Sequence, residues 1–239
     1  MRERVLRLSA EAGLDAERDA LERVFGGESD SSLLFWRPLE QALVMPRRLG
    51  RLAGFAEAEV RCRELGWPIA LRDTGGEPVP QSPAVLNVAL SYAVPVADNE
   101  QTRIDTAYRR LCQPLCDWLA ALGLEAGLGE VEGAFCDGRY NVNIGGRKLV
   151  GTAQRWRRRA RDGRYVVLAH GAILMDNQRA AMADVVNAFY RACELPADIR
   201  AESHIALDER HSQPWAQVEA LAAHFQRHLA SQGLELPLL

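Results

Sequence analysis

Between Gly133 and Asp176 a cysteine, a lysine and a tight glycine turn fall close together. Cys136 stands in the polar, turn-like run Phe135-Cys136-Asp137-Gly138, and Lys148 follows twelve residues later. A thiol becomes a strong nucleophile where a cation or a helix N-terminus favours the thiolate. A thiolate attacking a carbonyl carbon, with an ammonium steadying the oxygen, is the chemistry of acyl transfer. Two further groups stand in reach of such a site. His170 shares a strand face with Val166 and Leu168, where a structural histidine is the plainer reading and a base for the thiol the functional one. Arg72-Asp73-Thr74-Gly75-Gly76 follows a strand, and paired glycines there either make a simple turn or let the backbone approach a ligand.

The elements around these residues must bring them together. Ile144-Gly145-Gly146-Arg147 signals a two-residue hairpin, because both turn positions require the positive φ that glycine tolerates. In a regular register Asn143 faces Lys148 and Asn141 faces Val150. Side chains alternate along a strand. Lys148, Thr152 and Gln154 are thus expected on one polar face with Asn141 and Asn143, and Tyr140, Val142, Ile144, Leu149 and Ala153 on an apolar one. The plainer reading of that alternation is a half-solvated hairpin. The same register sets Cys136 opposite Arg155, seven residues from Lys148, or more than about 20 Å. The Asp137-Gly138 turn must therefore fold the cysteine back over the sheet.

Apolar periodicity predicts helices at Asp15–Val24, Gly54–Leu65, Thr102–Leu122, Asn177–Cys193 and Gln213–Ala230. Pro114 is expected to kink or divide the third, and Ser212 to cap the last. Strands are expected at 33–37, 42–45, 68–72, 85–94, 140–144, 147–154 and 164–174. Strands in blocks interrupted by helices indicate an α+β (mixed α/β sheet) domain. One catalytic domain is expected over 1–239, with a core from about 32 to 193 and a C-terminal helical appendage from 194 to 239.

Bulk composition narrows the function classes. The chain has 239 residues, 48% hydrophobic and 26% charged, which suits a globular protein. Its net charge of −3 argues against a general nucleic-acid binder. No apolar run is long enough to cross a membrane, and Met1–Leu14 lacks the uninterrupted apolar stretch of a signal peptide. A cytoplasmic location is the expectation. Five scattered cysteines, Cys62, Cys112, Cys116, Cys136 and Cys193, do not form a disulfide framework. Cys112 and Cys116 are one helical turn apart but have no companion ligands at suitable spacing, so a core role outweighs a metal site. Arg155-Trp156-Arg157-Arg158-Arg159, with Arg161 and Arg164, reads either as a solvated hairpin end or as a docking face for an acidic partner.

Together these segments resemble the lipoate/octanoate protein ligase and transferase family, within the biotin/lipoate protein ligase superfamily. Arg72-Asp73-Thr74-Gly75-Gly76 resembles its arginine and glycine loop, Val85–Tyr92 the following strand, Gly145–Arg155 the lysine motif, and Leu168–Leu174 the next strand. The resemblance covers about residues 32–193 and implies a fold related to biotin ligases and class II synthetase cores. It implies catalytic roles for Cys136 and Lys148, and substrate-binding roles for Arg72, Thr74, Gly75, Gly76, Asn143, Gly151, Thr152, Gln154 and His170. Where ATP-using ligases of the family carry a histidine, this chain has Gln81. Cys136 in Phe-Cys-Asp-Gly-Arg-Tyr is similar to the cysteine-dependent octanoyl and lipoyl transferase branch.

The resemblance thus implies transfer of an octanoyl or lipoyl group to a lysine of a lipoyl-domain carrier protein, such as the glycine-cleavage H-protein or a dehydrogenase acyltransferase subunit. Exchange between two lysine amides is nearly isoenergetic, so this reading needs no cofactor. The alternatives are an ATP- and Mg-dependent ligase acting through an acyl-adenylate, and a non-catalytic acyl- or carrier-binding protein.

Overall fold

The computed structural model describes residues 5–96, 98–99, 101–196 and 198–236. Met1–Arg4, the first residues of the segment read against a signal peptide, lie outside them. The elements run β1 (Val5–Leu8), α1 (Ala10–Gly26), β2 (Ser31–Pro38), β3 (Ala42–Pro46), α2 (Phe55–Glu64), β4 (Ile69–Arg72), β5 (Val79–Gln81), β6 (Val85–Ala93), α3 (Arg103–Ala121), β7 (Ala126–Leu128), β8 (Val142–Ile144), β9 (Arg147–Arg158), β10 (Tyr165–Leu174), α4 (Arg179–Ala192) and α5 (Val218–Ser231). A seven-stranded sheet has the order β1-β2-β6-β10-β9-β8-β7, and a second sheet the order β4-β3-β5. The mixed α/β class expected from the sequence is thus observed.

Three apolar layers hold these parts together. Leu86, Val88, Leu90, Val150, Val167 and Ile173 from one face of the large sheet pack against Leu111, Leu115 and Trp118 of α3 and Leu221, Phe225 and Leu229 of α5. On the other face, Leu21 and Val24 of α1 cover Ala89, Ala93, Val166 and Leu168. The small sheet packs Leu43 and Met45 against α2 and α4 through Cys62, Val186 and Phe189. Cys112 is fully buried and its thiol is pushed up by that burial, in keeping with a core role. Among the described residues no helix is long and apolar enough to cross a membrane.

Several boundaries differ from expectation. Helix α1 starts at Ala10, five residues early, because the Ser9 side chain accepts a hydrogen bond from Ala12 N and caps it. Helix α3 continues through Pro114, which forfeits only the bond to the carbonyl four residues earlier; Leu111, Leu115, Trp118 and Leu119 bury on both sides of it. Ser212 does not cap α5, which begins at Val218 after a 3-10 turn over Pro214–Gln217. Strands β1, β5 and β7, each of three or four residues, were not expected from the sequence.

The arginine run is bound into the fold. Arg159 donates to the Val24 carbonyl and pairs with Asp162, and Arg161 donates to the Gly26 carbonyl. Both cations thereby meet the negative end of the α1 dipole. Arg157 pairs with Glu22 and lies over the Phe25 ring. Arg155 joins Asp73 at 3.0 Å, and Arg164 donates to the Ala93 and Val94 carbonyls. The run staples α1 to the β9–β10 hairpin, which makes it neither simply solvated nor free of intramolecular partners; Arg158 keeps to its own hairpin, donating to the Gly163 carbonyl at 3.3 Å.

Candidate active site

The site begins with an irregularity in β9. The turn at Gly145-Gly146 forms as expected, with φ of +54° and +71°, and Asn143 faces Lys148. Val142 then faces Val150 rather than Leu149, so Leu149 is an extra residue in β9. Such a bulge re-aims the side chains beyond it. Leu149 and Val150 both enter the core beneath α3 and α5. Lys148 and Gly151 share the opposite face, where a Cβ on Gly151 would lie 3.1 Å from Lys148 Cε. The expected polar face is therefore corrected: Lys148 parts from Thr152 and Gln154. Thr152 Oγ1 donates to the Tyr140 carbonyl and Gln154 Nε2 to the Ile104 carbonyl on α3.

The loop before β8 folds back, as the spacing required. Asp137 Oδ1 accepts from Val131 N, Gly138 N and Asn141 Nδ2, closing the loop on itself. Lys148 Nζ donates to the Phe135 carbonyl at 2.5 Å and to the Cys136 carbonyl at 2.7 Å. Cys136 takes the left-handed conformation, φ +49°, which is unfavourable for a side chain with a Cβ. Its Sγ accepts from Glu77 N at 3.2 Å. That approach requires the residue before Glu77 to be glycine. Gly76 has φ +99°, and a Cβ there would lie 2.9 Å from Sγ and 3.0 Å from Arg72 Nη2.

Two buried cations flank the thiol. Lys148 is 2% exposed, and burial is the main cause that lowers its pKa to about 8. Arg72 donates to the carbonyls of Val44, Gly75 and Glu77. Burial lowers its pKa, while Cys136 and the nearby carboxylates oppose that shift.

Cys136, Arg72, Gly151, Thr152 and His170 line one hollow between the two sheets, completed by Leu14, Glu17, Trp36, Val44, Val79, Gln81, Asn87 and Ala172. The surface it presents is mostly apolar, which suits an acyl chain. Lys148 lines an adjoining apolar hollow that shares Val79, Gly151 and Ala172 with it. At the α1 wall, His170 Nδ1 lies 2.9 Å from Glu17 Oε2, and Glu17 Oε1 accepts from Trp36 Nε1 at 2.9 Å. His170 Nε2 is buried with no protein partner. Gln81 and Asn87 exchange reciprocal side-chain hydrogen bonds of 3.1 and 2.8 Å.

Most of the expected residues converge, and some do not. Thr74 lines a neighbouring hollow with Arg18, Arg47 and Arg155. The Gly75 carbonyl anchors Arg72, while the glycine's own Cβ position is open. Asn143 lies elsewhere: its amide donates to the Gly129 carbonyl, and it borders a groove along β7. Gln154 is turned to α3. The sequence reading missed Glu17, Trp36 and His204. Glu17 had left a signal, a carboxylate on the stripe Ala10, Gly13, Ala20, Leu21 and Val24 that α1 buries. His204 lies in an aperiodic stretch and had left none.

Known proteins place this architecture. A curated relative from Cupriavidus necator, an uncharacterized protein, is 38% identical over 163 residues, 64% of this chain and 64% of its own length. The octanoyl-[GcvH]:protein N-octanoyltransferase of Kyrpidia tusciae is 36% identical over 146 residues, 59% of this chain and 49% of its own length. The chain thus spans about half to two thirds of the curated relatives it matches. A crystal structure of lipoate-protein ligase A bound with ATP superposes with a TM-score of 0.69 at 17% identity, covering 99% of this chain and 88% of that one. At that identity the likeness is one of fold. The family profile of the lipoyl protein ligase A/B catalytic domain matches residues 9–229. Spanning nearly all of the sheet core and the packed C-terminal helix, that match shows that the chain belongs to the lipoyl protein ligase A/B catalytic domain family.

Proposed function

We propose that this protein moves an octanoyl or lipoyl group to a lysine of a lipoyl-domain carrier protein through an acyl thioester on Cys136. One observation carries the reading. The Cys136 thiol lines a largely apolar hollow, held against Glu77 N and flanked by the buried cations Arg72 and Lys148. The name of the Kyrpidia relative, octanoyl-[GcvH]:protein N-octanoyltransferase, supports both the acyl group and the class of partner.

The transfer takes two balanced steps. The Cys136 sulfur attacks the octanoyl amide carbonyl; the C–S bond forms, the C–N bond breaks, and the donor lysine leaves with the thiol proton. The acceptor lysine amine then attacks the thioester, the C–N bond forms, the C–S bond breaks, and the amine's proton returns to sulfur. Two smaller barriers replace one. The cations and the Glu77 N–H stabilise negative charge that develops beside the sulfur.

No step uses a nucleotide. Arg72 and Lys148 spend most of their hydrogens on backbone carbonyls. Intact mass after mixing with octanoylated H-protein, without ATP, tests the proposal. One added octanoyl group that is absent in Cys136→Ala is expected. No adduct, together with lipoate-driven ATP–pyrophosphate exchange, would instead establish the ligase. Tight carrier binding without turnover in either assay would establish a binding protein.

A further inference from the structure

A segment far from the nucleophile in sequence is laced to the loop that carries it. Arg200 N donates to the Gly133 carbonyl at 2.8 Å, and Ser203 Oγ donates to the Glu132 carbonyl at 2.7 Å. Ile205 N donates to the Lys148 carbonyl at 2.9 Å, beside an isolated parallel bridge between Lys148 and His204. His204 stands at the centre. Its Nε2 accepts from Phe135 N at 3.1 Å, its Nδ1 lies 3.0 Å from the Arg200 carbonyl, and its ring stacks on Phe135 with centroids 4.1 Å apart.

The tautomer follows from these partners. A carbonyl can only accept, so Nδ1 carries the proton and donates to Arg200; Nε2 keeps the lone pair that Phe135 N–H requires. Both ring nitrogens are thus spent, and His204 has no capacity left to act as a base for the thiol. The peptide units around Cys136 are held from two sides. Their carbonyls meet Lys148 Nζ, and the N–H one residue upstream meets His204. Between these anchors Cys136 adopts its left-handed conformation, which persists only where surrounding bonds over-determine it.

We infer that His204 is a positioning residue, which holds the Phe135–Cys136 backbone through Phe135 N and so fixes Cys136 Sγ against the Gly76–Glu77 loop. The inference rests on Cys136 being the reactive thiol, and the alkylation arm of its test is independent of carrier chemistry. His204→Gln places an acceptor near the Nε2 position, whereas His204→Asn places a donor near Nδ1 and leaves Phe135 N–H unpaired.

The measurement is the second-order rate of iodoacetamide alkylation at Cys136 across pH, read by peptide mass spectrometry on the full-length folded chain. Thermal melting of each variant serves as the folding control. His204→Asn is expected to shift the pH–rate profile and to lower the rate of octanoyl adduct formation roughly 10- to 100-fold at saturating carrier, the scale of a misplaced reacting atom. Its KM for carrier is expected to stay unchanged. His204→Gln is expected to restore both readouts to within about threefold. Equal losses in the two variants at equal melting temperature would overturn the inference, as would wild-type profiles in both. If octanoyl adduct never forms even in wild type but the alkylation profiles separate as stated, His204 positions the thiol and the transferase reading alone fails.

Discussion

Gly76→Ala gives the most direct access to the geometry of the thiol. A Cβ at this position would lie 2.9 Å from Cys136 Sγ. Heavy atoms in contact rest at about 3.5–4.0 Å, so the sulfur must retreat by roughly 0.6–1.1 Å. It cannot do so freely, because Lys148 and His204 hold the backbone on either side of it. Displacement of a reacting atom on this scale lowers a rate by about 100-fold. The backbone adds a separate penalty, since φ of +99° is costly for an L residue, on the order of 1–2 kcal/mol. For a domain of this size that corresponds to a fall of about 2–8 °C in Tm. Timed quenching of a mixture with octanoylated H-protein, followed by intact mass, gives the rate of adduct formation. Gly127→Ala, at a strand position with open space around its Cβ, controls for the substitution itself and is expected to react as wild type. Adduct formation in Gly76→Ala within about threefold of wild type would refute the claim that Sγ works from its place against this loop.

Four further outcomes are expected. Lys148 loses its proton as pH rises through about 8, so the adduct rate should fall on the alkaline side with a midpoint near that value; Lys148→Met should remove this limb, and a limb retained in that variant would assign it to another group. The same lysine holds its proton to about 10.5 when unfolded, so between pH 8 and 10.5 the unfolded state binds more protons and stability against unfolding should rise with pH; denaturant melts of Lys148→Met should lack that slope. Glu17→Leu strips Trp36 Nε1 and His170 Nδ1 of their partner and should lower Tm by about 4–24 °C, the effect of two unpaired buried polar groups. Charge reversal separates docking from folding: Arg158→Glu should raise the KM for an acidic carrier with Tm unchanged, whereas Arg157→Glu, which breaks the contacts with Glu22 and Phe25, should also lower Tm, and an unchanged KM in both would exclude the run as a docking face.

The long elements were legible because their apolar periods are long. Strand β6 carries nine consecutive buried residues, and the buried stripe of α4 returns every third or fourth position. The need for Cys136 to fold back was legible too, since a straight hairpin would have kept it from Lys148. The means of that folding was hidden. Asp137 Oδ1 gathering three donors is local but has no distinctive spacing. The contacts of His204 with Phe135, and of Ile205 with Lys148, join segments more than fifty residues apart. Asn143 was misplaced for a different reason. Its register was right, but which face of the sheet becomes the pocket depends on layers that the hairpin alone does not specify.

The extra residue at Leu149 lets two neighbouring side chains, Leu149 and Val150, enter one core while Lys148 and Gly151 on either side of them keep the opposite face. Losing that residue would leave the pairs Asn143–Lys148 and Val142–Val150 in place, restore regular alternation and keep Lys148 on the face of Gly151. The core would lose one apolar side chain and the strand its local bend. The orientation of the ammonium is thus set from the turn side, by its pairing with Asn143, and the residue count just beyond it can fall by one without turning the lysine away from the thiol.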